Sequence, residues 1–443
     1  VLLMIQPTFD EAHSSEWIQT HILDPTHELV ILRQVIPWQR IIDQLVSFYN
    51  PRRGRFGASL RILVALSIVA KLRQLSDREV VEQVKENRYL QYFCNVADEN
   101  LPTFLDPSVL CKFRTRLGEK GIARIETEVF ARLRQAGVID RDTSLIDATV
   151  LENNLIYPND VQLLYKAFGK MASWAQRHDL PLWWEADHLK KRWRAFGLAA
   201  KTERPTYLAE FYLLFAPARE TFAETVAAQT LAEKEQLDAR PLIDLLQRLD
   251  TQTQQKLAGE KHIKDRLVSL DEVEARPIKK GKSYPSCEFG TTLQMSFNRQ
   301  GFLITAENFI GQPGETTLYG GTLDLFRQRM HGDPDTVVTD LGVRSRHNFT
   351  ITPERIDHVF LGRSDDVVEE HRDFCRRARS ATEGFIAVAK HRRGLGRSLY
   401  RGLRGDRIWT RLGQAAYNLK KFIQRYRAEL IAEFSLVKLG LLG

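Results

Sequence analysis

TSLIDATVL, Thr143 to Leu151, is the stretch at which the character of the chain changes. Upstream of it, apolar residues recur at the three-and-four spacing of helices. Here β-branched and aliphatic residues run together and predict a strand, with Leu145, Asp147 and Thr149 on one face. An aspartate inside an otherwise apolar strand costs several kcal/mol unless a cation, a metal or hydrogen bonds satisfy it. Most such aspartates are caps or hydrogen-bonded structural residues, so Asp147 needs partners before it signifies chemistry.

Working outward toward the amino terminus, Leu29 to Ala136 reads as helical, with RILVALSIVAKL and IARIETEVFARL the most periodic pieces. Ser76 followed by Glu79 predicts a capping box, and Asp106-Pro107-Ser108 predicts another helix start. The helix after Ser108 carries Lys112, Arg114 and Arg116. Short helices bearing such cations fit a helix-turn-helix DNA reader, with Lys112 and Arg114 as DNA contacts. They fit equally well a bundle that dimerises or braces the core.

In the other direction, Asp160 to Asp271 is helical again and reads as an all-α insertion. Within it, Trp183 and Trp184 precede Lys190, Lys191, Arg192, Trp193 and Arg194. Aromatics interleaved with bases can stack on an unpaired base, although tryptophans at these spacings most often belong to a core. After a basic loop, RPIKKGKSYP, the strand pattern resumes. FGTTLQMSFN (289–298) and FLITAENFIG (302–311) flank Arg299-Gln300-Gly301, a hairpin signature. A helix follows, then a short strand DTVVTDLG (335–342) with Asp340 at its carboxyl end, a helical piece, a strand HVFLG (358–362) and a long helix. Strand, insertion, strand, strand, helix, strand, helix, strand, helix makes a mixed α/β domain once the insertion is set aside.

The long helix contains FCRRARSATEGFIAVAK, Phe374 to Lys390. At about 100° per residue, Arg376, Arg379, Glu383 and Lys390 fall in a sector of roughly 60°, and Phe374, Ala378, Ala381, Phe385, Val388 and Ala389 lie opposite. A single carboxylate among bases differs from the mixed Glu and Lys of an ordinary solvated helix. Between His371 and Arg411 twelve basic residues stand against three acidic ones, within a chain of 443 residues and net charge +8. A phosphate backbone is the natural counterpart. Four scattered cysteines without a CxxC pair argue against a structural zinc site or disulfide framework and fit a reducing cytosol. The apolar opening VLLMIQ is too short for a signal peptide or a membrane span, and no GxxxxGK[ST] loop is present to bind a nucleotide cofactor.

The element order brings Asp147, Asp340 and Glu383 together in principle. Carboxylates at strand ends and on an adjacent helix are what two Mg²⁺ or Mn²⁺ ions require for phosphoryl transfer. Asp365 and Asp366 read as caps of the long helix, with Glu369 or Glu370 as substitutes for Glu383. The order of elements resembles the ribonuclease-H-like fold, and the motifs resemble DDE transposases of bacterial insertion sequences. DATVLENNLIYPND (147–160) resembles that family's first aspartate block and VVTDLG (337–342) its second. Arg379, Glu383 and Lys390 reproduce the spacing of its third block, although Arg376 stands where a tyrosine is usual. GRSLYRGLRGDRIWTRLGQAAYNLKKF (396–422) resembles its carboxyl end, and YLQYF with DPSVLCKFRTRL an amino-terminal domain of one branch.

The resemblance implies a mixed α/β fold with a ribonuclease-H-like sheet, a helical amino-terminal domain over 1–137, a core from 138–159 and 286–411, the insertion over 160–285 and a terminal helix over 412–443. It implies that Asp147, Asp340 and Glu383 are catalytic metal ligands. Arg376, Arg379, Lys390, Arg392, Arg393, Arg397 and Arg401 would bind DNA. The partners implied are double-stranded transposon ends, target DNA and a second copy in a homodimer, in the bacterial cytoplasm at the nucleoid. A decayed or domesticated DNA-binding protein and a metal-dependent nuclease on the same fold are the alternatives.

Overall fold

A computed structural model describes residues 23–50, 58–96, 104–182, 184–228, 233–279 and 287–438. Trp183, most of the basic loop and the VLLMIQ opening lie outside the described residues. The chain forms two compact units: residues 1–152, 292–309 and 313–443 make the first, and 153–291 with 310–312 the second.

The first unit opens with helices α1 (Glu28–Val35), α2 (Trp38–Leu45), α3 (Leu60–Arg73), α4 (Asp77–Glu86), α5 (Arg88–Cys94) and α6 (Ser108–Gln135). Ser76 and Glu79 form the expected capping box on α4, and the Asp106 carboxylate accepts from the Ser108 amide at 2.8 Å. α6 is interrupted at Gly118, which has φ of 59° and ψ of −166°. The kink divides the two helical pieces that the sequence suggested.

β1 (Thr143–Asn153) follows, and the chain then passes into the second unit. It returns along β3 (Glu288–Phe297), turns into β4 (Leu303–Ile310), and continues through α11 (Glu315–Met330), β5 (Thr336–Thr339), α12 (Arg346–Ile351), β6 (His358–Leu361), α13 (Glu369–Arg392), β7 (Arg397–Ser398) and α14 (Gly402–Lys438). The β3–β4 link is the predicted hairpin. Gly301 takes φ of 82°, and a β-carbon there would lie 2.6 Å from the Phe385 ring, so glycine is required.

With β2 (Arg276–Ile278) from the second unit, the strands run in the order β2, β3, β1, β5, β6, while β4 pairs with β3 and β7 with β1. β1, β5 and β6 are parallel neighbours. Alternate residues divide the two faces as strand geometry requires. Leu145, Val338 and Phe360 share a core with Cys375, Ala378 and Ala389 of α13. Ile146, Val337 and Leu361 share one with Tyr319 and Leu323 of α11.

Two expectations about boundaries are corrected. Residues 1–137 and the terminal helix are not separate from the sheet domain, because α14 packs on α6, α3 and α1 and all of these share one core with Phe302, Ile304, Phe326 and Met330. That terminal helix begins at Gly402 rather than 412. The insertion is also not purely helical.

The second unit contains α7 (Asp160–Arg177), α8 (Ala186–Leu198), α9 (Arg204–Ala227) and α10 (Glu233–Leu257) around Phe168, Trp174, Phe211, Phe215 and Phe222. Trp193 stacks on Tyr165 with centroids 4.6 Å apart, and Trp184 meets Phe168 edge-on. Both tryptophans are partly buried and pack against that core. β2 closes the insertion by pairing antiparallel with Glu288 to Gly290. Three residues are too few to show a period, and Pro277 disguises them further, though proline is tolerated where a strand lies at a sheet edge.

Candidate functional site

β1 pairs with β5 in the register Thr143 to Thr336, Ser144 to Val337 and Leu145 to Val338. Carried two residues further, the same offset aligns Asp147 with Asp340, which directly follows β5. Both belong to the alternation that contains Leu145 and Val338, the face covered by α13. Paired strands lie about 4.8 Å apart, so the ladder, continued past its last pair at Leu145 and Val338, would set these two carboxylates at neighbouring positions.

Asp340 is fixed by local geometry. Its Oδ1 accepts from the Gly342 amide at 3.0 Å, which opens the 3₁₀ turn Leu341–Val343. A β-carbon on Gly342 would collide with the carboxylate of Glu315, the first residue of α11, and lie 3.2 Å from Asp340 Oδ1. Glu315 is therefore a further carboxylate beside this turn, and no motif in the sequence pointed to it. Gly362, with φ of 86°, crosses so close that a β-carbon would sit 2.5 Å from the Leu341 nitrogen and 2.8 Å from the Asp340 carbonyl carbon.

The face of α13 explains the rest. Taking Arg376 as zero and about 100° per residue, the buried Ala378, Ala389, Thr382 and Cys375 lie at about 200°, 220°, 240° and 260°. The buried stripe is thus rotated from the expected one toward Arg379: Ala381 and Val388 are exposed, and Cys375 and Thr382 take their place. Thr382 is tolerated because its hydroxyl donates to the Ala378 carbonyl at 2.9 Å. Arg379, at about 300°, falls on the border of the buried stripe. Glu383 and Arg376 point further out, and their side chains are the more exposed, at 69% for Glu383 and 61% for Arg376 against 28% for Arg379.

From this border Arg379 reaches both acids. Its Nη1 lies 3.6 Å from Asp147 Oδ2 and 3.2 Å from Glu383 Oε1. The other Asp147 oxygen accepts from the Ala148 amide at 2.7 Å. Glu383 is thus joined to Asp147 through a guanidinium. Among the described residues no three His, Cys, Asp or Glu side chains assemble into a ready metal centre.

The remaining predicted contacts separate into exposed and engaged groups. Arg376 pairs with Asp373 at 2.6 Å on an open surface, and Arg392, Arg401 and Lys112 are exposed. Lys390 is half-buried. Arg397 holds Glu152 at 2.7 Å. Arg393 is half-buried, its guanidinium donates to the Arg392 carbonyl at 2.8 Å, and burial lowers its pKa from the usual arginine value.

Arg114 must be removed from the DNA contacts, because it is buried against Asp77 in a bidentate pair at 2.8 and 2.5 Å. Asp366 does not cap the long helix. It is buried, pairs with Arg344 and accepts from the amides of Leu361 and Arg363 to close the turn after β6. Glu369 and Glu370 lie exposed in the first turn of α13, beyond the stripe that meets the sheet.

Residues 18–116 match the family described as "Transposase domain (DUF772)". The chain is also 32% identical over 175 residues to the "Uncharacterized protein ORF8 in nfe locus" of Rhizobium meliloti, covering 39% of this chain and 84% of that protein. The chain belongs to a bacterial insertion-sequence transposase family. No solved structure matches it. The family match ends at Arg116, so it covers the helices before the sheet and leaves the carboxylate positions of the transposase-family chain to rest on geometry. Among the described residues no helix is long and apolar enough to cross a membrane.

Proposed function

We propose that this protein is a DNA transposase whose phosphoryl-transfer site is built from Asp147, Asp340 and Glu383 on a ribonuclease-H-like sheet. The observation that carries the reading is the β1–β5 register, whose offset, extended two residues beyond its last pair, sets Asp147 opposite Asp340, with Arg379 of the covering helix reaching Asp147 and Glu383. The strand order supports the ribonuclease-H-like assignment, with three parallel strands at one side and a hairpin at the other.

The donor set is all carboxylate oxygen, which suits hard divalent cations such as Mg²⁺ or Mn²⁺ and not zinc. Asp147 and Asp340 would hold such ions, and Glu383 would join them once Arg379 exchanges its carboxylate partners for a DNA phosphate. When bound, two ions supply Lewis acidity to the attacked phosphate and charge neutralisation to the attacking and leaving oxygens. Arg379 and Lys390, at the border of the buried stripe, orient the phosphates flanking the scissile bond, and Arg376 and Arg392 grip the backbone further out.

In the first step water attacks the phosphorus at a transposon end, and the P–O3′ bond breaks to leave a free 3′-hydroxyl. In the second that hydroxyl attacks a target phosphate, forming one P–O bond and breaking another with no covalent protein intermediate. The test is to incubate the full chain with Mg²⁺ and DNA carrying the ends that flank its gene. Joined products are expected, and Asp147→Asn should abolish them while end binding persists. Cleavage without joining would make the protein a nuclease. Binding without cleavage would make it a DNA-binding protein alone.

A further inference from the structure

Within the first unit, α3, α4, α6 and the start of α14 enclose a cavity of about 680 Å³. Its size lies within the range of small-molecule sites. Tyr400 and Trp409 stand edge to face, with centroids 4.9 Å apart, and Leu75 and Ile408 extend the apolar wall.

At its base lies Lys71, 5% exposed, with its amine over the Trp409 ring and 5.0 Å from the centre of Tyr400. Among the described residues that amine has no hydrogen-bond partner. Burial, reinforced by nearby Arg114, holds its pKa well below the ordinary lysine value. Arg114 is committed to Asp77 and so offers a neutralised pair. Arg78, Arg401 and Arg404 line the same cavity and are exposed. The lining therefore joins two aromatic rings, with one face of Tyr400 covered by the Arg114 guanidinium and one face of Trp409 by the Lys71 amine, to a cationic rim, with Asp77 its one acid among the described residues.

A ligand for such a site needs a planar body, an acceptor for the amine and an anionic group that stays near solvent. Aromatic side chains bind bases by stacking in strand-binding proteins, and arginine favours phosphate through forked hydrogen bonds. We propose that this cavity is a nucleotide-binding site: a base seats against Tyr400 and Trp409 above Lys71, and its phosphate is held by Arg78, Arg401 and Arg404. The nucleotide comes either free in solution or as an unpaired residue of a DNA strand. None of its residues is one of the three carboxylates, and Arg401 is the one residue it shares with the expected DNA contacts.

Cys111 lines the cavity and is exposed, whereas Cys94 and Cys375 are buried. It therefore reports occupancy without perturbing the fold. In a Cys287→Ser background, the rate of Cys111 alkylation by iodoacetamide is measured alone, with each deoxynucleoside monophosphate, with a fully paired duplex and with a duplex carrying one unpaired nucleotide. At least fivefold protection by monophosphates identifies free nucleotides as ligands. Protection by the unpaired duplex but not the paired one assigns the site to DNA. Lys71→Met and the pair Arg401→Glu with Arg404→Glu should each remove most of the protection while the melting temperature stays near that of the parent. Equal alkylation rates in all four conditions, or protection that survives the arginine reversals, would overturn the proposal.

Discussion

Two arginines of the first unit meet carboxylates in opposite ways. Arg329 of α11 forks onto Glu126 of α6 at 2.8 and 2.5 Å, with both side chains at least nine-tenths buried. Arg379 of α13 divides one nitrogen between Asp147 and Glu383 at 3.6 and 3.2 Å, within reach of solvent. The first pair engages both carboxylate oxygens and both terminal guanidinium nitrogens and joins two elements of the core. The second is longer and shared between two acids. A closed buried fork is committed to the fold, whereas a stretched and shared contact is available for exchange.

The largest effect should come from the acids themselves. Asp340→Asn is expected to lower metal-dependent DNA cutting by about a thousandfold or more, since it removes an oxygen that balances charge in the transition state. Thermal unfolding should shift little, and substantial residual cutting at equal Mg²⁺ would take Asp340 out of the site.

Breaking the closed fork should be felt in stability instead. Glu126→Ala strands a buried guanidinium, at a cost of about 3–5 kcal/mol, to be read from urea unfolding. The double change Glu126→Leu with Arg329→Met should recover most of that loss. A single change costing under about 1 kcal/mol would show that the fork is no more committed than Arg379.

Arg379→Ala inverts the pattern. Cutting should fall about 10- to 100-fold as phosphate alignment is weakened, while stability changes by less than about 1 kcal/mol. Arg379→Lys, which keeps the charge but not the fork, should recover part of the activity. If Arg379→Ala instead unfolds the protein, the distinction between the two arginines fails.

The smallest effects concern the outer surface. Neutralising Arg376 or Arg392 should lower the slope of log affinity against log salt by about 0.9 for each DNA phosphate that the arginine pairs with. Neutralising the buried Arg114 should leave that slope unchanged.

What could be read from the chain follows the range over which each feature is specified. The strands around Asp147 and Asp340 were legible because burial on a strand prints a local pattern, and the capping box at Ser76 because its partners are three residues apart. The face of α13 was legible only approximately. Its apolar residues permit several rotations, and the sheet beneath selects the one centred on Cys375, Ala378, Thr382 and Ala389. Arg114 misled because its partner Asp77 lies 37 residues away, and a cation on a predicted DNA-reading helix looks the same from sequence whether paired or free. The union of the first helices with α14 could not be seen for the same reason, since the packing that joins them spans most of the chain.

Gly362 carries a different lesson. Where the turn after β6 crosses the turn that presents Asp340, the two backbones approach more closely than any side chain permits. The placement of an acidic group is thus guarded by a residue with no chemistry of its own. A mutational scan of this protein should show an intolerant position there, twenty-two residues from the aspartate in sequence and invisible to any search for reactive side chains. Even alanine would act at Gly362 as a lever on Asp340, so the tolerance map of the site extends beyond its carboxylates and arginines.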